Sequence, residues 1–84
     1  MVFSDHEIEY ATALFGLSKR ESDIVRLLLD GVESKDAIAE CLGISPGTVH
    51  TLLNRVFIKM QVHSKLGVAL RMFNALTKAR DADR

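Results

Sequence analysis

The segment AIAECLGISPGTVHTLLNRVFIKM, from Ala37 to Met60, contains the start and stop signals of two helices joined by a tight turn. The first helix carries a short apolar stripe and ends at Gly43, a residue suited to a left-handed helix stop. Ser45 then suits the N-cap of the second helix. Pro46 suits its first position, where the missing N–H loses no hydrogen bond. The segment therefore predicts a helix-turn-helix arrangement.

The second of these helices has one clear buried face. Val49, Leu53, Val56 and Met60 recur at intervals of four, three and four residues, the spacing of a helix side packed on a core. The second helix of a helix-turn-helix can lie in the DNA major groove. An ordinary pair of antiparallel helices in a small bundle is the alternative interpretation.

Size and composition restrict the class of protein. With 84 residues, of which 48% are hydrophobic, the chain can form one domain with a small core, which a dimer interface would supplement. No apolar run approaches the roughly 18 residues of a membrane span. The acidic N-terminus differs from the basic start of a signal peptide. We therefore expect a cytoplasmic protein, in which the single cysteine, Cys41, is a small buried apolar residue.

Charges are segregated along the chain although their formal sum is zero. Residues 1–40 contain nine acids and four bases, whereas residues 41–80 contain six bases and no acid. Residues 41–80 include the second helix of the pair. Because they contain no carboxylate, their charge favours binding to DNA phosphates. Chance patterning of a solvated surface is the alternative.

The rest of the sequence predicts three more helices and no β-strand. Ser4 and Ser18 each precede a glutamate by three residues, the spacing of a capping box, so helices are expected from about residue 5 to 15 and after Ser18. Glu21 is expected to cap its helix or to pair with an arginine. Ser64 is the expected cap of a last helix. The predicted inward residues of that helix are Leu66, Ala69, Leu70, Phe73 and Leu76.

Several short motifs resemble the LuxR/GerE-type helix-turn-helix domain over about residues 15–76. The motifs are Leu17-Ser-Lys-Arg-Glu21, Leu27-Leu28, Gly31, Ile38-Ala39, Leu42-Gly-Ile-Ser45, Gly47-Thr-Val49, and Lys59 with Val62. The resemblance implies a four-helix DNA-binding domain of bacterial transcription regulators, whose third helix enters the major groove and whose fourth often forms a two-fold dimer contact. We thus expect an all-α fold with an N-terminal helical extension (1–16), a helix-turn-helix domain (17–78) and a tail (79–84).

The chain departs from the pattern of this family in two places. The segment after Gly31 is one residue longer than usual. Family members often have a lysine after the Thr-Val pair and a basic residue four positions later, where this chain has His50 and Asn54. Leu52 and Ile58 stand where polar residues are common. The resulting neutral face favours an alternative in which the same fold is an antagonist that binds another transcription regulator rather than DNA.

Helical geometry identifies the expected base-reading residues. If the apolar side of the second helix faces the domain, the opposite side presents Gly47, His50, Thr51, Asn54 and Ile58. Asn54 can form two hydrogen bonds with adenine, and the methyl group of Thr51 can contact thymine. His50 can bond a base edge or a phosphate, and Gly47 allows a close approach of the backbone. A solvated helix surface is the alternative for each.

Phosphate contacts and a dimer contact complete the expected site. The phosphate candidates are Lys35, Ser45, Thr48, Arg55, Lys59 and Lys65. Val68 and Met72 are expected to form a homodimer contact, with completion of the core as the alternative. The sequence has no metal-ligand spacing, phosphate-binding loop or nucleophile elbow, so neither a cofactor nor an enzymatic activity is expected. The expected partners are double-stranded DNA, a second copy of the chain and another regulator. No binding to a membrane is expected.

Overall fold

The computed structural model describes residues 3–82, which form five α-helices and no β-strand. They are α1 (Asp5–Phe15), α2 (Lys19–Leu29), α3 (Lys35–Leu42), α4 (Pro46–Met60) and α5 (Lys65–Ala82). The predicted all-α fold, with one helix preceding a four-helix unit, is confirmed. The last helix continues to Ala82 and so includes part of the segment expected to be a tail. No described helix is long and apolar enough to cross a bilayer.

A serine precedes each of the five helices and accepts a hydrogen bond from the backbone N–H three residues further on. These serines are Ser4, Ser18, Ser34, Ser45 and Ser64. Each satisfies one N–H group that a helix start leaves unpaired, a contribution of about 1 kcal/mol. Both predicted capping boxes are present. Gly43 ends α3 with φ 67°, as the sequence predicts, and this turn directs the chain into α4.

The core has two parts that share α4. On one side α4 packs against α2 and α3, through Ile24, Ile38, Ala39, Val49, Leu52 and Leu53. On the other side the core is formed mainly by α1, α4 and α5, through Ile8, Ala11, Val56, Met60, Val68, Met72 and Leu76. All four residues predicted to face inward from α4 are buried. The expected orientation of α4 is therefore confirmed.

Two polar contacts attach the N-terminal helix to α2. Arg26 forms an ion pair with Asp5, and the hydroxyl groups of Thr12 and Ser22 lie 2.8 Å apart. The side chain of Ile8 is buried close to these contacts, at the start of α1. Residues 5–15 therefore pack on the rest of the domain by apolar burial and by side-chain hydrogen bonds.

The rotation of α5 about its axis differs from the prediction. Leu66, Leu70 and Phe73, which were expected to face inward, are 70%, 56% and 59% exposed. The apolar residues of α5 occupy two adjacent faces, and the face that packs against α1 and α4 is the one that carries Val68, Met72 and Leu76.

The face of α5 that is buried includes the residues expected to form a dimer contact. Val68 and Met72 are 0% exposed and lie in the core with Leu76. They therefore complete the core, and their expected role in a homodimer surface is wrong.

Two further predictions of burial are wrong. Cys41 is exposed, because the short helix α3 buries the side that carries Ile38 and Ala39. Leu52, expected on the outward side of α4, is 8% exposed and packs in the core with α2 and α3. The buried sector of α4 is thus wider than the four-residue stripe, since helices pack on it from two directions.

Candidate nucleic-acid interface

The outward side of α4 is open. Its five predicted residues, Gly47, His50, Thr51, Asn54 and Ile58, are all exposed, and Ile58 is 75% exposed. The N-terminal helix packs mainly on α2 and α5 and leaves this side uncovered. A continuous helical surface of about three turns is therefore available to a partner.

The turn between α3 and α4 fixes the start of this surface. The N–H of Ile44 donates to the carbonyl oxygen of Ala39 over 3.1 Å, and the side chain of Ile44 packs against the core. Ser45 caps α4 by accepting from the N–H of Thr48, and the two hydroxyl oxygens lie 3.0 Å apart. Both hydroxyl groups are at the positive end of the α4 dipole, where anions are stabilised.

A chain of three polar side chains links α3 to the outward side of α4. Nζ of Lys35 lies 2.9 Å from Nδ1 of His50, and Nε2 of His50 lies 3.3 Å from the Asn54 amide. An ammonium group only donates, so Nδ1 must accept and Nε2 must carry the proton. The amide atom of Asn54 placed beside Nε2 is Nδ2, which also donates, so this contact becomes a hydrogen bond only when the amide turns its oxygen toward Nε2–H. In that orientation the Asn54 NH2 group is directed away from His50.

The predicted phosphate-binding cations differ in whether they have partners. Lys65 donates to the carbonyl oxygen of Glu33, and Lys35 donates to His50. Arg55 is exposed and forms no side-chain hydrogen bond or ion pair within the described part of the chain. Of the predicted phosphate-binding cations on α4, Arg55 is therefore the one whose charge is available to a phosphate without competition from a partner among the described residues.

Lys59 differs from Arg55 because it is paired with a buried acid, although its own side chain is 37% exposed. Its Nζ lies 2.6 Å from Oε1 of Glu21, a carboxylate whose side chain is only 2% exposed. The same oxygen accepts from the N–H of Ser18 over 2.7 Å. Lys59 thus joins α4 to α2 by an ion pair, and a phosphate contact at this residue would compete with Glu21. The expected capping by Glu21 is confirmed, but its partner is a lysine rather than an arginine.

The environment of Glu21 favours its charged form. Burial raises the pKa of this carboxyl, but the hydrogen bonds and the charge of Lys59, together with the Ser18 contacts, more than offset that effect. The pKa of Glu21 consequently lies below its ordinary value. A charged acid at this position stabilises the packing of α2 on α4 and is unsuited to proton transfer near neutral pH.

Sequence reasoning missed two features of the surface. The contact between Lys35 and His50 joins residues from different helices, so no local pattern could indicate it. The exposed stripe of α5, formed by Leu66, Leu70 and Phe73, was read as its buried face. Among the described residues, no group of three or more His, Cys, Asp or Glu side chains could bind a metal ion.

A protein-family model matches most of the chain. The GerE model, which describes bacterial regulatory proteins of the luxR family, matches residues 16–72, more than half of the chain. No curated protein and no solved structure matches. The matched residues include α2, α3, α4 and the first part of α5, so the open side of α4 lies within the matched region and α1 lies outside it.

Proposed function

Because the chain belongs to the luxR family of bacterial regulatory proteins, a family of DNA-binding helix-turn-helix regulators, we propose that it recognises specific DNA sequences as a homodimer. The observation that carries this proposal is the open side of α4, which presents polar groups on a rigid helix. This side would enter the major groove, where base edges carry a sequence-specific pattern of donors and acceptors.

Asn54 is the proposed base-reading residue. An amide that offers one acceptor and one donor matches the N6 amino group and N7 of adenine, whereas guanine presents two acceptors. The link from Lys35 through His50 supports this role because it orients the amide before DNA binds. Thr51, one turn after Gly47, would contact a neighbouring base through its methyl group.

Phosphate contacts would flank the base-reading side. Arg55 supplies an unpaired guanidinium, and the hydroxyl groups of Ser45 and Thr48 would bind a phosphate at the start of α4. Lys35 and Lys65 would keep their side-chain contacts and add positive charge near the same backbone. Few cations are available, so we expect modest affinity that falls with salt by a log–log slope of about 0.9 per phosphate contact.

Because Val68 and Met72 are buried, we propose that the exposed stripe of α5 forms the dimer contact instead. Leu66, Leu70 and Phe73 lie on one side of the helix, as their spacing of four and three residues requires. Two antiparallel copies of this stripe would cover each other across a two-fold axis. Leu70→Ser should then convert the dimer to a monomer in sedimentation. Leu14→Ser, an equally exposed leucine on α1, is the matched control that should leave the dimer intact.

A binding selection from random duplex DNA tests the function. We expect a selected site with adenine in each half, the halves lying about one helical turn apart. Asn54→Ala should weaken binding to that site about tenfold or more and remove the adenine preference. Asn74→Ala, on the exposed surface of α5, is the control and should change neither. Failure to bind any duplex more tightly than bulk competitor DNA at low salt would rule out the proposed function.

The second candidate function is binding of another transcription regulator by the same side of α4. It is favoured by Ile58, which is 75% exposed beside a cleft of about 560 Å³ lined in part by Phe57 and Val62. In that case Ile58→Ser would abolish a complex with a related regulator, and the DNA selection would enrich no sequence. An enriched DNA site together with no regulator complex excludes this candidate.

A further inference from the structure

A groove between α1 and α5 forms a third surface, separate from the open side of α4 and from the exposed stripe of α5. One wall carries Tyr10 and Leu14 of α1, and the other carries Arg71 and Lys78 of α5. The C-terminal end of α4 contributes Lys59 and Gln61, and the groove has a volume of about 480 Å³. We refer to it as the α1–α5 groove.

The α1 wall is apolar and uncovered. Tyr10 and Leu14 are 45% and 53% exposed and stand one turn apart, so they project on one side of α1. Large exposed apolar side chains that line a concave surface are typical of a binding site rather than of a solvated helix. Their spacing matches apolar side chains presented by one or two turns of a partner helix.

The α5 wall is positively charged. The guanidinium of Arg71 lies 5.8 Å from the ring centroid of Phe15, a contact that orients it. Lys78 lies two helical turns further along the same side of α5. Among the described residues, no carboxylate lines the groove, and the charge of Lys59 is matched by Glu21. Arg71 and Lys78 therefore contribute two cations that lack an acidic neighbour within the groove.

The groove is also distinct from the regions that the proposed function uses. On α5, Arg71 and Lys78 lie on a different side from Leu70 and Phe73, as helical geometry requires. Tyr10 and Leu14 lie outside the residues matched by the family model. The surface therefore depends on α1, a helix that lies outside the matched region.

We propose that the α1–α5 groove binds an acidic amphipathic helix of a partner protein. Its apolar side chains would pack on Tyr10 and Leu14, and its carboxylates would pair with Arg71 and Lys78. A DNA duplex fits less well because its phosphate backbone offers no apolar groups to cover the α1 wall. This inference is independent of the proposed DNA recognition.

Selection of displayed random peptides of about 15 residues, a length that can form a helix, tests the proposal on the whole chain. We expect enriched peptides with Leu, Phe or Trp three or four positions apart and with Asp or Glu between them. A synthetic peptide of the enriched sequence should bind about tenfold more weakly to Leu14→Ser. It should bind several-fold more weakly to Arg71→Glu and to Lys78→Glu, and these charge effects should shrink at high salt.

Leu70→Ser is the matched control, since it removes an exposed leucine from the other side of α5 and should leave peptide binding unchanged. Circular dichroism should show the same helical content in all four variants, because each changes a surface residue. Three results would overturn the proposal. They are enrichment of peptides without acidic residues, loss of DNA binding in the Arg71 and Lys78 variants, and a change of oligomeric state in Leu14→Ser.

Discussion

Arg55 and Lys59 carry the same charge and stand one turn apart on α4, yet their surroundings in the structure differ. Arg55 is exposed and unpaired among the described residues, whereas Lys59 forms an ion pair with the buried carboxylate of Glu21. The difference arises from the 40° rotation that separates residues four apart on a helix, together with one buried acid on α2. We therefore expect a basic residue of α4 to contact phosphate only where no buried acid already binds it.

The largest effect on stability should follow removal of the Lys59 ammonium. Lys59→Met leaves the carboxylate of Glu21 buried without its cation, and we expect a loss of about 2 kcal/mol in the free energy of unfolding. The partial exposure of Lys59 keeps this value below that of a fully buried pair. Urea denaturation measures it. Arg55→Met is the matched control and should change stability by less than about 0.5 kcal/mol.

DNA binding should show the reverse order of effects. Arg55→Met should weaken binding several-fold for every duplex and lower the log–log salt slope by about 0.9, because one phosphate contact is lost. Lys59→Met should leave the salt slope unchanged at a temperature where it remains folded. Fluorescence anisotropy over a range of salt concentrations provides both values. Equal slopes for the two variants would remove the distinction between the residues.

The pH dependence of stability should show a smaller effect of the same ion pair. The pKa of Glu21 is lowered in the folded protein, so the unfolded chain takes up the proton first as the pH falls below about 4.5. Glu21 therefore contributes fully to the free energy of unfolding above that pH, and this contribution is lost as the pH falls through the lowered pKa. Glu21→Gln should flatten this part of the stability curve in acid. An unchanged slope in that variant would show that Glu21 does not cause the acid dependence.

Local signals predicted the helices and the rotation of α4 but not the contacts between helices. Serine caps, Gly43 and the spacing of Val49 and Val56 lie within short segments, so the sequence alone indicates them. The pairs Lys59–Glu21 and Lys35–His50 join residues that are 38 and 15 positions apart. No periodicity could have revealed them, because each depends on how two helices pack.

The misread rotation of α5 shows a second limit of pattern analysis. This helix has apolar residues on two adjacent faces, so a spacing of three and four residues fits both Leu66 with Leu70 and Val68 with Met72. The packing of α5 against α1 and α4 selects between them, and the spacing within α5 alone does not indicate that packing. The outward residues of α4 from Gly47 to Ile58 were predicted correctly except for Leu52, which is buried because helices pack on α4 from two directions.

The most direct test is a titration of the isotope-labelled protein with its selected duplex, followed by amide chemical shifts. The account predicts the largest shift changes along the outward side of α4, at Gly47, His50, Thr51 and Asn54, with a further change at Arg55. Changes confined to the α1–α5 groove, or no change at low salt with any duplex, would contradict it.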